Sequence, residues 1–287
     1  MSATPHPQQK TVLITGCSSG IGLAAAIDAA RAGWLVVATM RDVSRAGALE
    51  QAAAEAGLTR SVQVRQLDVT DPASVDACLA GVVAEHGRLD AVVNNAGAGH
   101  VGTVEQESMD EIRAVLEVNF FGVVAVTRAA MPHLRASGGR LIAVSSVGGV
   151  VGQPFNEAYC AAKFAVEGFL ESLAPVAASV GVAVTLVEPG AVASEFVASQ
   201  GIDLEAELRA AGPYAPVLKS YAERTLSTFA TAAQTPAGAA ATITEALDTD
   251  RPVLRMQTSE AARAFVGGKL ADLDGSAVLA VTGSWLS

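Results

Sequence analysis

Short apolar runs alternate with longer helix-forming stretches along most of the chain. TVLIT (11–15), WLVVATM (34–40), SVQVRQLDV (61–69), LDAVVNN (89–95), RLIAVSS (140–146) and VAVTLVEP (182–189) are strand-forming, and most are near-continuously hydrophobic rather than alternating. Such runs predict strands of a parallel sheet covered on both faces. RPVLRMQ (251–257) predicts one more. Between them, IGLAAAIDAARAG (21–33), SRAGALEQAAAEAG (44–57) and DPASVDACLAGVVAEHG (71–87) predict helices. Gly33 is placed to end the first, and Asp71 followed by Pro72 forms a cap and first turn for the third. A long helix is expected over about 108–136 and another over about 157–180. The rhythm predicts an α/β fold, a doubly wound sheet with helices on both faces. Segment 194–236 has the weakest pattern and lies between two predicted strands, so it reads as an insertion and not a second domain. Residues 1–10 read as a polar tail, and 11–287 as one domain.

Composition narrows the function. Of 287 residues, 51% are hydrophobic and 17% charged, enough apolar surface for a large core. The net charge of -10 argues against a broad nucleic-acid or anionic-membrane footprint. No run of 18 or more apolar residues predicts a membrane span. Cys17, Cys78 and Cys160 are scattered and His6, His86, His100 and His133 lack ligand spacing, so neither disulfides nor a metal site is expected. The opening MSATPHPQQK has no apolar signal core. A reducing, cytoplasmic setting fits these features.

TGCSSGIG (15–22) joins the first predicted strand to the first helix. Gly16, Gly20 and Gly22 permit a tight turn and close approach of backbone to a pyrophosphate seated on a helix N-terminus. A ligand-free glycine turn is the alternative; the position after the first strand of a doubly wound sheet favours a nucleotide. The second strand ends ATMRD, with Met40 where an acid would select a free ribose hydroxyl. Arg41 follows and suits a 2′-phosphate, which favours NADP(H) over NAD(H); a solvated Arg41–Asp42 pair is the alternative. Asp68 can meet an adenine amine or cap a turn. NNAG (94–97) can flank a cofactor or form an Asx turn.

Tyr159 and Lys163 are one helical turn apart in AYCAAKFAVEG. An ammonium at about 4 Å lowers a phenol by roughly three pKa units at an effective dielectric near 20. Such a phenol can exchange a proton with a carbonyl or alcohol oxygen. Ser146, ending the fifth predicted strand, faces the same crevice as the start of the next helix, whereas Ser145 should point the other way.

These segments together resemble the short-chain dehydrogenase/reductase family in its standard-length branch. TGCSSGIG, NNAG, EVNFFG, SSVGGVVGQPFNEAYCAAK and EPGAV follow one another in the family's order over residues 11 to about 196. LITGCSSGIGLA, TMRD and RLIAVSSVGGVVGQPFNEAYCAAKFAVEG resemble the branch of steroid 17β-dehydrogenases and retinol dehydrogenases. The resemblance implies a Rossmann-type sheet of about seven strands in the order 3-2-1-4-5-6-7. It implies Tyr159 as acid/base, Lys163 as the group that lowers its pKa and holds the nicotinamide ribose, Ser146 as carbonyl orienter, and Asn119 as support for a water-linked relay. Gly16, Ser18, Ser19, Gly20, Ile21 and Gly22 would hold the phosphates. Asp68 and Val69 would face the adenine, Asn95, Ala96 and Gly97 the adenosine ribose, and Pro189, Gly190, Val192 and Ser194 the nicotinamide amide. Val147, Gly148, Gly149, Gln153, Asn156 and the insertion up to about 225 would line the substrate pocket.

The expected activity is hydride transfer between NADP(H) and a ketone or secondary alcohol, with a steroid, retinoid or aromatic ketone as substrate class. Two other readings share the fold. A nucleotide-sugar epimerase or dehydratase is disfavoured by the glycine spacing and the Ser146–Tyr159 interval. A cofactor-sensing regulator is disfavoured because all four catalytic positions are filled. Phe196, Leu204, Leu208, Tyr214, Leu218, Tyr221 and Phe229 either line an apolar pocket or form the insertion's own core. The apolar helices near 108–136 and 157–180 either pair in a homodimer or homotetramer or pack inside the domain.

Overall fold

The computed structural model describes residues 9–193 and 204–286. Seven parallel strands form one sheet: β1 (Thr11–Ile14), β2 (Leu35–Met40), β3 (Val62–Gln66), β4 (Ala91–Asn94), β5 (Arg140–Val144), β6 (Ala183–Glu188) and β7 (Arg255–Gln257). Their order is β3-β2-β1-β4-β5-β6-β7, as the resemblance implies. The chain reverses direction across the sheet between β1 and β4, which opens a crevice at the strands' C-terminal ends.

Side chains of alternate strand residues enter two separate cores. Val12, Ile14, Val36, Ala38, Ala91 and Val93 pack beneath α1 (Gly20–Arg31), α2 (Gly47–Glu55) and the later helix Pro236–Asp248. Leu13, Val37, Val92 and Leu141 pack beneath α3 (Pro72–His86), α5 (Gly122–Ser137) and α6 (Glu157–Ala178). This two-sided burial explains the near-continuous apolar strands. Asp71 caps α3 by accepting from Ala73 N, and Gly87 closes it at φ 71°.

Strands end earlier than their apolar runs. Thr15, Leu67 and Ser145 each keep one backbone bond to the neighbouring strand, from Thr15 N to Val93 O, Leu67 N to Met40 O and Ser145 N to Val187 O, before the chain turns at the crevice. β7 is the shortest, although Thr185 still donates to Val253 O at 2.9 Å.

The helix expected over 108–136 is interrupted. α4 (Met109–Leu116), begun by a Ser108–Glu111 capping box, passes through a π-turn at Glu117–Phe121 into α5. The wholly buried Asn119 causes the break: its Nδ2 donates to Val115 O at 3.0 Å and to Ala98 O at 2.9 Å. These bonds compete with the regular ladder. Taken whole, Met109–Ser137 is long and apolar enough to cross a membrane, contrary to expectation, and here it packs on α3, α6 and the sheet.

Residues 204–232 are more ordered than their composition suggests. They form α7 (Leu204–Ala210) and α8 (Ala215–Ala232), followed by α9 (Pro236–Asp248). Leu208, Tyr214, Leu218 and Tyr221 pack with Phe155, Ala211 and Trp285 in a satellite core. Phe196 lies outside the described residues. The last described elements are α10 (Glu260–Ala271), α11 (Ser276–Gly283) and a 3-10 turn at Ser284–Leu286.

Candidate active site

The glycine loop is tied to the end of β4. Thr15 Oγ1 accepts from the backbone N–H groups of Asn95 and Ala96, both at 2.9 Å. Asn95 Nδ2 donates to Thr15 O at 2.9 Å and Gly16 O at 3.0 Å. Gly16 has φ 74°, and a Cβ there would stand 2.8 Å from Ala96 Cα. A Cβ at Gly22 would collide with the Gly16 carbonyl and the Asn95 amide. The loop is therefore a bare backbone cradle at the start of α1, suited to a pyrophosphate. A cavity of about 580 Å³ opens beside it, lined by Ser18, Ser19, Gly20, Arg45, Ala193 and Pro236, among others. Arg45 sits in the turn before α2 and carries no local sequence signal for this role. Ile21 packs on the core beneath.

At the far end, Arg41 is exposed. Asp42 is engaged elsewhere, capping Ser44 N at 3.0 Å. Asp68 Oδ1 accepts from Thr70 N at 3.0 Å and Thr70 Oγ1 at 2.7 Å. Burial opposes these bonds, but with nearby Arg41 they hold the carboxyl below its ordinary range. Val69 was expected to face the adenine; its side chain is instead buried, and its Cγ2 is 2.7 Å from where a Gly122 Cβ would stand. Only its backbone is left for a ligand.

Around β5 and α6 the side chains converge on two glycines. Ser146 Oγ accepts from Gly148 N at 2.9 Å and is hydrogen-bonded with the Tyr159 phenol. The point a Gly148 Cβ would occupy lies 3.3 Å from Ser146 Oγ, 3.3 Å from Tyr159 Cε1 and 3.4 Å from Gln153 Nε2. The corresponding point at Gly97 lies 2.8 Å from Asn119 Oδ1 and 3.7 Å from Lys163 Nζ. Lys163 Nζ donates to Val144 O at 3.0 Å and stands 5.8 Å from the Tyr159 ring centroid. Ser145 is buried on the opposite side, toward Glu167.

The electrostatics correct one expectation. Lys163 was expected to bring Tyr159 toward neutrality. Tyr159 is half-buried, and burial dominates and pushes the phenol up to about 12, against the Ser146 hydrogen bond. Burial also lowers Lys163 to about 8, against the charge of Glu167. The ammonium is directed at the Val144 carbonyl, and desolvation sets the direction of the phenol's shift.

Three pocket residues expected from the sequence are engaged within the protein. Val147 is buried with Val150, Val151, Ala262 and Val266, so its side chain is withdrawn from a substrate. Gly149 is buried behind the same turn, against Ser145 and Glu167. Asn156 Nδ2 donates to Pro154 O at 2.8 Å and to Tyr221 OH at 2.7 Å, fastening α8 to the start of α6. Between them Phe155 adopts φ 60°, held by packing against Tyr221 at 5.5 Å between ring centroids. Pro189 O accepts from Val147 N at 2.9 Å, Gly190 lies against Ala262, and Val192 pairs with Gln234. Ser194 lies outside the described residues.

Comparison with known proteins agrees with this geometry. The family model described as short chain dehydrogenase matches residues 10–205. The chain is 41% identical to retinol dehydrogenase 8 of Bos taurus over 93% of its own length and 87% of that protein's. It is 39% identical to 17-beta-hydroxysteroid dehydrogenase type 1 of Homo sapiens, covering 92% and 82%. A solved short-chain dehydrogenase from Streptomyces avermitilis superposes with a TM-score of 0.75 at 32% identity, covering 98% of this chain and 97% of that one. The chain belongs to the short-chain dehydrogenases and is a nicotinamide-dependent oxidoreductase that moves a hydride between its cofactor and an alcohol or carbonyl carbon.

Proposed function

We propose that the protein interconverts a large apolar ketone and its secondary alcohol, with NADP(H) preferred over NAD(H). The observation that carries the reading is the convergence of Ser146, Tyr159 and Gln153 on the space over Gly148. A carbonyl oxygen set against the hydrogen-bonded Ser146–Tyr159 pair meets two hydroxyl groups at once. The relatives' names, a retinol and a hydroxysteroid dehydrogenase, support an apolar substrate. A cofactor bound in the crevice would supply or accept the hydride.

In the reductive direction Ser146 and Tyr159 hold the carbonyl oxygen, and Tyr159 gives it the phenolic proton as negative charge develops. A phenol held at about 12 is protonated at neutral pH, the state a proton donor needs. Lys163, charged at neutral pH, would hold the ribose hydroxyls of a bound cofactor and stabilises the phenolate left behind. Asn119, bonded to the Ala98 backbone at the Lys163 side of the crevice, supports a water that returns the proton. Gly16, Ser18, Ser19, Gly20, Ile21 and Gly22 form the phosphate cradle, Asp68 and Asn95–Gly97 the adenosine side, and Pro189–Val192 the nicotinamide side. Arg41, and Arg45 lining the cavity beside Ser18, supply positive charge for a 2′-phosphate.

Exposed Phe121 and Phe164, on the α4–α6 face, support self-association as a homodimer or homotetramer. The three buried free cysteines support a reducing, cytoplasmic setting. Turnover of a ketone panel with NADPH and with NADH tests the reading. Tyr159→Phe should lower turnover by about 10²–10⁴-fold; full activity would remove Tyr159 from the chemistry, and a clear NADH preference would overturn the cofactor assignment.

A further inference from the structure

Behind the catalytic turn lies a buried cluster of charge that the proposed chemistry does not use. Glu167 is one helical turn beyond Lys163 on α6 and is only 5% exposed. Arg255 reaches it from β7, with Nε 3.0 Å from Glu167 Oε2. The same Nε is 3.3 Å from Oε1 of Glu188, which is wholly buried at the end of β6. Arg255 Nη2 also donates to Glu171 at 2.7 Å, and Gln257 donates to Glu188 Oε2 at 2.9 Å. The other Glu167 oxygen, Oε1, is buried without a well-formed hydrogen bond, although the Ser145 hydroxyl is within the carboxylate's reach.

Gly149 joins this cluster to the active site. The point its Cβ would occupy lies 2.6 Å from Ser145 Oγ, 3.0 Å from Glu167 Cγ and 3.2 Å from Lys163 O. The residue after Ser145 is Ser146, so the cluster and the catalytic serine share one strand end. Two buried carboxylates thus face one half-buried guanidinium from β7, and Lys163 is a buried cation one turn from Glu167 on α6. Burial of an uncompensated charge is costly, so the excess negative charge and the buried ammonium stabilise each other.

We infer that Glu167 is a positioning residue for the reaction, the buried counter-charge one helical turn behind the Lys163 ammonium. The inference rests on the catalytic part proposed for Lys163. Burial pulls Lys163 toward the neutral amine, and Glu167 is the charge that opposes it. Other charged groups do not replace it. Tyr159, on the same helix, is neutral at working pH. Asp110, Glu111, Arg113 and Glu117, on the α4 and π-turn segments packed against α6, are exposed. From β6 and β7 come only Glu188 and Arg255, which are paired with each other and, through Arg255, with Glu167. Glu171 is mostly solvated, and the turn Val147–Gly149 carries no charge.

The test is direct because the chain has only four lysines, Lys10, Lys163, Lys219 and Lys269. With side-chain carbon-13 labelling, the Lys163 signal is identified by its loss in Lys163→Met. In Glu167→Gln its titration midpoint should fall by about one pH unit, a tenfold loss of proton affinity. Glu167→Asp, which keeps the charge, should recover most of the shift. An unchanged midpoint in Glu167→Gln overturns the inference, whatever turnover does. Should that variant fail to fold, Glu167→Gln/Arg255→Gln is read against Arg255→Gln alone, and equal midpoints in those two variants are equally fatal. The alkaline limb of the turnover profile should move down with the midpoint. A midpoint that moves while the limb stays sinks the catalytic reading of Lys163, and with it any part for Glu167 in the reaction.

Discussion

The ammonium of Lys163 donates to the carbonyl of Val144 at 3.0 Å, pinning α6 to the end of β5. Val144 lies two residues before Ser146, and Tyr159 one turn before Lys163, so this bond sets the register between the two hydroxyl-bearing residues. Lys163→Met should lower turnover at least about 10²-fold while leaving the circular dichroism spectrum intact. Lys163→Arg should not rescue, because a planar guanidinium cannot take the same single-point geometry at a buried carbonyl.

Ser146→Ala removes the acceptor of Gly148 N and the hydroxyl bonded to the Tyr159 phenol. Turnover should fall by about 10²–10³-fold, the usual loss for a donor to a developing oxyanion. The Ser146 bond also lowers the phenol, so its loss should raise Tyr159 further and move the corresponding limb of the pH profile upward. A limb that moves down would contradict the geometry.

Gly22→Ala drives a methyl group into the Gly16 carbonyl and the Asn95 amide. Both are backbone or anchored groups, so the strain should cost about 1–3 kcal/mol in urea unfolding. Cofactor affinity, measured by fluorescence titration, should fall more sharply than stability, since the displaced atoms form the cradle. Gly152→Ala meets nothing within 4 Å and serves as the control.

Arg45 lines the cavity beside Ser18 and Ser19, whereas Arg41 is exposed beside Asp68. If either binds a 2′-phosphate, its change to Ala should raise the KM for NADPH by about tenfold or more and leave that for NADH nearly unchanged. Equal losses for both cofactors would assign the residue to the shared pyrophosphate instead.

Alkaline pH should destabilise the protein through Cys17. Burial pushes this thiol from 9.0 up to about 12. The unfolded chain releases the proton near its ordinary value and the folded chain retains it. The resulting stability is present below pH 9.0 and is lost as pH rises toward about 12. Between about pH 9 and about pH 10.5 the loss should reach roughly 2 kcal/mol, and Cys17→Ala should flatten the curve in urea titrations at those two values. Cys160, pushed up to about 11, acts in the same direction. Lys163 acts in the opposite one, because its lowered value penalises the folded state at neutral pH and that penalty lifts above about 8.

Much of this protein is local in origin. Apolar runs mark the five inner strands because each is buried on two faces, and Asp71, Pro72 and Gly87 bound a helix through their own backbone preferences. The glycine loop and the Tyr159–Lys163 spacing were legible for the same reason: turn chemistry and helical periodicity act within a few residues. What the alphabet of neighbours could not express was longer in range. Asn119 breaks its helix because Ala98, 21 residues earlier, competes for its amide. Arg45 faces the phosphate cradle only once β2 and α2 are folded back on α1. Val147 and Asn156 sit among expected pocket residues, yet Ala262 and Tyr221 claim them from far along the chain. Glu167 is enclosed by Arg255, 88 residues later, and by Glu188, neither of which its helical neighbours announce. Burial made the same difference at Tyr159, whose proton affinity follows from the surfaces packed around it. Spacing along a helix brings charges together, but desolvation depends on everything else that folds over them.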